Sequence, residues 1–341
     1  MLYRLILKLR HLRYDRKSEE SAVPSICIGN VTVGGTGKTP HCELLLRLLE
    51  QREGVAVLSR GYKRKSNGFA LVQTDGSASD FGDEPLQIKR KFPQRTVAVD
   101  EDRLEGCRKL KALGAKLVIL DDAFQHRRLR ATRNIVLVNY SRPVFEDRLL
   151  PFGRLRDLPE RIFKADCIIV SKCPKDILDS EKAAFALRLK LRDYNPATCR
   201  ALTPEGKEIL LLFSYIRYLE PQMAFPEGDR RYIYDKNILY INGIAKDPSL
   251  RKHLLQEHRI VKEFSFRDHH DFSRRDLQRI EKEACKYSVC ALATTEKDAQ
   301  RIIGKPWVSE ALKKRLFIIP IEAVLSNEAE EKALEEIISL A

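Results

Sequence analysis

The stretch Gly29-Asn-Val-Thr-Val-Gly-Gly-Thr-Gly-Lys-Thr-Pro40 holds the residue types needed to grip a polyanion. Gly34, Gly35 and Gly37 permit backbone angles that a Cβ forbids, so the N–H groups around Thr36 can turn inward on phosphate oxygens. A helix opening near Lys38 adds the partial positive charge of its N-terminus. Lys38 supplies an ammonium for the terminal phosphates, and Thr39 a hydroxyl for Mg²⁺. Thr32 stands where the strict G-x-x-x-x-G-K-[ST] pattern has its first glycine. The chemistry is that of a nucleoside triphosphate cradle; the plain alternative is an ordinary glycine-rich turn.

Carboxylates follow at useful places. Lys116-Leu-Val-Ile-Leu-Asp-Asp122 is an apolar strand ending in Asp121 and Asp122. Hard oxygen ligands held beside a phosphate loop are what Mg²⁺ requires. Gln125 and His126 add polar groups on the same rim. Asp83 and Glu84, before Pro85, open a helix, and Asp83 is either its cap or a catalytic carboxylate. Arg60-Gly-Tyr62 ends a strand on the side where open α/β sheets bind ligands, unless it is merely a solvated loop. Arg154, Arg156 and Asp157 converge in a loop punctuated by Pro151 and Gly153. His269 and His270 stand between carboxylates, where an imidazole can orient an acid or share its proton; a surface turn is the alternative. Adjacent histidines with no third spaced ligand make a poor metal site.

Elements must position these groups. Ser25–Gly29, 54–59, Thr96–Val99, 116–122, 134–139 and 166–171 read as buried strands alternating with helical stretches. The fold class is α/β, a mostly parallel sheet with helices on both faces. A charged helix is expected over 181–195, and the turn signals Asn195-Pro196 and Pro204-Glu-Gly206 put a boundary near 190–200. Beyond it, 209–213, 238–241 and 289–294 are strand-like, with helices near 247–257 and over 328–340.

The 341 residues suffice for two domains, and the net charge of +14 calls for an acidic partner: nucleic acid, anionic lipid or a phosphorylated substrate. Eight scattered cysteines, none in a Cys-x-x-Cys pair, argue for reduced thiols in a cytosolic protein. No apolar run approaches the ~20 residues that span a bilayer. Leu2, Leu5, Ile6, Leu9 and Leu12 recur at helical spacing among Arg4, Lys8, Arg10 and Arg13. That pattern suits a helix lying in an anionic membrane interface over residues 1–17, or one packed on its own domain.

Seven segments in order resemble the tetraacyldisaccharide 4'-kinases (lipid A 4'-kinases). They are Gly-Asn-Val-Thr-Val-Gly-Gly-Thr-Gly-Lys-Thr-Pro, Leu-Ser-Arg-Gly-Tyr, Gly-Asp-Glu-Pro, Leu-Asp-Asp-Ala-Phe-Gln-His, Pro-Phe-Gly-Arg-Leu-Arg-Asp, Asp-His-His and Thr-Thr-Glu-Lys-Asp-Ala. The resemblance implies a P-loop NTPase-like sheet plus a second, smaller α/β domain on a short two-stranded hinge. It implies transfer of the γ-phosphoryl group of ATP to the 4'-hydroxyl of an acylated glucosamine disaccharide 1-phosphate. It also implies a peripheral position on the cytoplasmic face of the inner membrane. Domains are expected at 1–193 and 194–320, with 321–341 returning to the first. By motif position, Lys38 holds phosphates, Thr39 and Asp122 serve Mg²⁺, Asp83 is the general base and His269 (or His270) its partner. Asp121 joins Asp83, His269 and Lys38 as a catalytic residue, and Glu84, Gln125, His126, Arg156, Arg60 and Tyr62 line the site toward the substrate. Asp157 replaces the family's Glu and is one methylene shorter, leaving direct or water-bridged metal contact open. Ala123, Lys63 and Arg267 are further departures beside these groups. No nucleic acid or obligate protein partner is expected. The rival readings are a partitioning ATPase, which lacks its loop lysine at Val33; a GTPase, on Thr295-Glu-Lys-Asp298; and a nucleic-acid-binding ATPase, for which no motif exists.

Overall fold

A computed structural model describes residues 4, 6–7, 18–234, 236–243 and 248–341. Apart from Arg4, Ile6 and Leu7, the expected interface helix over 1–17 lies outside the described residues. Asp247, the expected start of a helix, also lies outside them; the helix is described from Pro248 to Glu257.

The apolar runs fold as parallel strands: β1 Ser25–Gly29, β2 Val55–Ser59, β3 Thr96–Val99, β4 Leu117–Asp121, β5 Arg133–Asn139, β6 Cys167–Ser171 and β7 Glu208–Tyr218. Their spatial order is β7-β6-β5-β1-β4-β2-β3, within an eleven-stranded sheet closed at each end by short antiparallel strands. Residues of β1 are buried on both faces. Cys27 joins the apolar layer on one side, while Ile26 and Ile28 join the layer on the other. Continuous apolar runs, not alternation, are the mark of such doubly covered strands. Helices α1 Lys38–Leu48, α2 Asp83–Lys91, α3 Arg103–Ala112 and α4 Asp179–Arg188 cover the faces. The helix expected over 181–195 is corrected: it stops at Arg188, and Arg192–Asn195 forms an edge strand. Lys190 and Asp193 take positive φ there, which a helix cannot carry.

A second sheet of five strands contains β8 Asn237–Asn242, β9 Arg259–Ser265, β10 Ala291–Thr295 and β11 Leu316–Ile319, all mutually parallel where they pair. Between the sheets run β7 and β12 Ile321–Leu325. Leu210–Phe213 of β7 pair with β6, and Ser214–Tyr218 pair with β12 instead. One long strand thus leaves the first sheet as half of a two-stranded linker. The last helix, Glu328–Ser339, buries Leu334 and Ile338 in the first sheet's apolar layer. Lys182 of α4 anchors it through a buried pair with Glu330 at 2.7 Å.

Candidate active site

The phosphate loop lies at the carboxyl end of β1, between β4 and β5, where sheet order reverses and α/β folds leave a crevice. Gly37 caps α1 at φ 83°, a left-handed angle that glycine tolerates. Buried Asn30 donates to the Thr36 hydroxyl at 2.6 Å, and Ser171 at the end of β6 donates to the Thr36 carbonyl at 2.8 Å. Val33 N–H donates to the Arg154 carbonyl at 2.7 Å, tying the Arg156 loop alongside.

Around this loop the charges close a ring. Lys38 Nζ lies 3.7 Å from Asp122 Oδ2. Arg156 donates to Asn30 Oδ1 at 2.6 Å and also to both carboxylate oxygens of Asp122. Asp122 takes φ 49° directly after β4, which swings its carboxylate off the strand line. Burial opposes its charge, but Lys38 and Arg156 outweigh burial and hold its pKa below the usual range. Asp121 behaves oppositely: burial and the neighbouring Asp122 charge push it up to about 6, despite Lys38. Its oxygens accept from Ser59 Oγ at 3.1 Å and Cys42 Sγ at 3.6 Å.

A second cluster forms where the two sheets meet. Asp83 is the first residue of α2, and the cap position belongs to Gly82. The cap reading is therefore corrected: the Asp83 carboxylate instead reaches the second sheet's elements. Its Oδ2 lies 3.0 Å from His269 Nδ1 and accepts from Arg301 Nε at 2.8 Å. An ionised carboxylate only accepts, so His269 Nδ1 donates. Burial works to raise the Asp83 pKa, yet His269 and Arg301 together hold it low. His270 faces away: it pairs with Asp276 at 3.0 Å and stacks on Phe266. The Tyr62 ring meets His269 edge-on, with centroids 5.3 Å apart. Behind Tyr62 the backbones pack closely: Gly82 takes φ 91°, and a Cβ there would stand 3.2 Å from Gly61 and from the Tyr62 carbonyl.

Glu84 joins the clusters. It pairs with Lys297 at 2.5 Å, and its charge also reaches Asp121. The remaining expected residues fall nearby or behind. Gln125 donates to the Asn30 carbonyl. His126 turns toward Asp102 at 3.7 Å, and burial among cations lowers its pKa to about 4. Buried Asp157 accepts from Leu158 N–H at 2.8 Å, directly after Arg156 in the chain. Arg60 and Tyr62 are exposed at the mouth. Gly34 and Gly35 are exposed, and Thr39 is half-buried.

Sequence reasoning did not single out Arg301, Lys297, Asn30 or Arg103. Arg301 also holds Asp298 at 2.9 Å and the Gly243 carbonyl at 3.2 Å. The signal was its place one helical turn beyond Asp298. Asp298 is fully buried and bonded to Gly243 N–H, which leaves it nothing to offer a guanine base. Arg103 is buried close enough to Asp121 and Asp122 for their charges to act on it.

Comparison with known proteins follows the same lines. The family model for tetraacyldisaccharide-1-P 4'-kinase matches residues 1–339. A tetraacyldisaccharide 4'-kinase of Phocaeicola vulgatus is 39% identical over 92% of this chain and 85% of its own. One from Bacteroides thetaiotaomicron is 37% identical over 99% of this chain and 90% of its own. The crystal structure of "apo" form LpxK from Aquifex aeolicus in complex with ATP superposes with a TM-score of 0.72 at 26% identity, covering 99% of this chain and 96% of that one.

Proposed function

This chain belongs to the tetraacyldisaccharide-1-P 4'-kinase family, and we propose how its two clusters divide the work of that reaction. It transfers the γ-phosphoryl group of ATP to the 4'-hydroxyl of tetraacyldisaccharide 1-phosphate, giving the 1,4'-bisphosphate of lipid A biosynthesis. In our reading Gly34–Thr39 receive the phosphates, Lys38 neutralises the terminal ones, and Arg156 fixes Asp122 beside them. Among the described residues, no three His, Cys, Asp or Glu side chains converge as a metal group. The Thr39 hydroxyl and the Asp122 carboxylate suit Mg²⁺, which is commonly held by one or two carboxylates together with substrate phosphates. Thr39 and Asp122 would hold it, with Asp157 behind them on the Arg156 loop. Bound there, the ion would supply positive charge to offset the negative charge of the ATP phosphates.

Asp83 orients the sugar hydroxyl and accepts its proton, while His269 and Arg301 hold the carboxylate. The observation that carries this assignment is the convergence of His269 and Arg301 on one Asp83 oxygen across the two sheets. Their contact makes the base complete only when the sheets meet, which also excludes water. The cationic surface meets the acceptor's 1-phosphate and anionic head groups. The apolar and cationic sequence pattern of residues 1–17 supports a peripheral position on the cytoplasmic face of the inner membrane; no helix among the described residues is long and apolar enough to cross one. The test is phosphorylation of the disaccharide 1-phosphate from labelled ATP. Asp83→Asn should lower kcat by about 10²–10⁴-fold, with KM for ATP changed less than about threefold. Weakened ATP binding with normal turnover would refute the assignment.

A further inference from the structure

His41 is buried on α1 and has no place in the chemistry of either cluster. Its Nδ1 lies 2.7 Å from the Gly37 carbonyl, and its Nε2 2.8 Å from Ser214 Oγ. A carbonyl only accepts, so Nδ1 carries the proton and Nε2 accepts from the Ser214 hydroxyl. Burial lowers the ring's pKa to about 4, so it stays neutral and keeps this polarity at physiological pH.

The two ends of this link are special places. The Gly37 carbonyl also accepts from His41 N–H at 3.2 Å, so two donors fix the Gly37–Lys38 peptide plane. In a trans peptide the Lys38 N–H points opposite to that carbonyl, away from the helix body. At the far end, Ser214 is the junction: it follows Phe213, which pairs with Val170 in the first sheet, its own carbonyl still accepts from Cys173 N–H at 2.9 Å, and it pairs with Leu325 in the linker. Other contacts bind α1 to the linker's second strand. Arg47 donates to the Ala323 carbonyl at 2.9 Å, and Lys91, held by Glu43 at 2.7 Å, donates to that of Ile321 at 3.2 Å. Of these contacts, only that of His41 also reaches the phosphate loop.

We infer that His41 is a positioning residue that couples the phosphate loop to the two-stranded linker through Gly37 and Ser214. It presents the Lys38 N–H to phosphate and registers that arrangement on the strand leading to His269 and Arg301. Nucleotide binding and linker position therefore bias each other, by the same factor in both directions. The inference rests on the reading that Gly34–Thr39 receive the phosphates of ATP.

Three variants separate its parts: His41→Asn, whose amide nitrogen replaces Nδ1, His41→Gln, whose amide replaces Nε2, and Ser214→Ala. The readouts are the Kd for a non-hydrolysable ATP analogue and amide hydrogen exchange over 214–218 and 321–325 with and without it. In the wild type the analogue should bind and slow exchange in both linker strands. His41→Asn and Ser214→Ala should bind it within about threefold of wild type but lose the linker response. His41→Gln should bind about tenfold more weakly, the loss expected for one hydrogen bond. A linker response that survives in His41→Asn and Ser214→Ala, or wild-type affinity in His41→Gln, overturns the coupling. Wild-type protein that binds the analogue without any linker response overturns the coupling alone. Wild-type protein that does not bind it overturns the phosphate-loop reading as well.

Discussion

Substituting Asn for Asp121 asks whether this carboxylate serves the reaction or the fold. Asp121 is buried, and its oxygens accept from Ser59 and Cys42. Burial, then the Asp122 charge, raise its pKa from an ordinary 3.8 to about 6 in the folded protein. The folded state therefore holds this proton more tightly than the unfolded chain. Ionising the group destabilises the fold progressively from pH 3.8 to about 6, and by a constant amount above that. That pH gap, at 1.36 kcal/mol per pH unit, amounts to about 3 kcal/mol. Asparagine carries no charge, and its carbonyl still accepts from Ser59. Urea unfolding followed by circular dichroism should show Asp121→Asn more stable than wild type at pH 8, by up to about 3 kcal/mol. The gain should fade as pH falls toward 4, while phosphoryl transfer by the same variant drops. A variant equally destabilised at pH 8 and pH 4 would mean that the carboxylate is a structural hydrogen-bond acceptor, and the argument from charge fails.

Other expectations follow from the second cluster and the frame. Arg301→Gln removes the cation that, with His269, holds the Asp83 pKa low, so the acid limb of kcat/KM should move to higher pH; an unmoved pH–rate profile would show that Arg301 does not govern Asp83. His269→Ala should slow turnover by at least about tenfold, whereas His270→Ala should stay within a few-fold, because His270 is engaged by Asp276 and Phe266. The reverse ranking would exchange their roles. Lys182→Met strands the buried Glu330 carboxylate and should reduce unfolding free energy by about 3–5 kcal/mol; a loss under about 1 kcal/mol would show that the C-terminal helix is anchored elsewhere.

Much of the first sheet was legible because its strands are unbroken apolar runs bounded by glycine or charge. β1 and β3 were read to the residue. The second sheet was harder. β9, Arg-Ile-Val-Lys-Glu-Phe-Ser, interrupts its apolar pattern with Lys262 and Glu263, and its extra residue Val261, opposite Ile238 and Leu239 of its partner, shifts the register. β12, Ile321–Leu325, was not legible as a strand, because it is short, carries Glu322 and closes only two residues before the helix that starts at Glu328. In the site, Lys38 and Asp122 were visible from local pattern, since loop and strand end are each one segment. Arg301 was not, because its function depends on an approach of 218 positions along the chain to Asp83, and only the fold supplies that.

The low pKa of Asp83 bears on what kind of base the proposed mechanism makes of it. A carboxylate held ionised by His269 and Arg301 is weak, and weak bases draw protons slowly from alcohols. Phosphoryl transfer through a loose transition state puts little early demand on the attacking hydroxyl, so strength matters less than aim. The local geometry is built for aim. Asp83 opens a helix whose N-terminal charge also favours its ionised form, and two donors share one of its oxygens. His269 adopts φ 59°, an angle that is uncommon for any residue with a side chain and disfavoured by ~1 kcal/mol or more. That turn points His269 at Asp83 while His270, the next residue, points at Asp276. A chain that needed only a nearby imidazole would have no reason to hold this backbone angle. One that needs a carboxylate fixed by groups from the opposite sheet does, and the cluster therefore contributes orientation ahead of basicity.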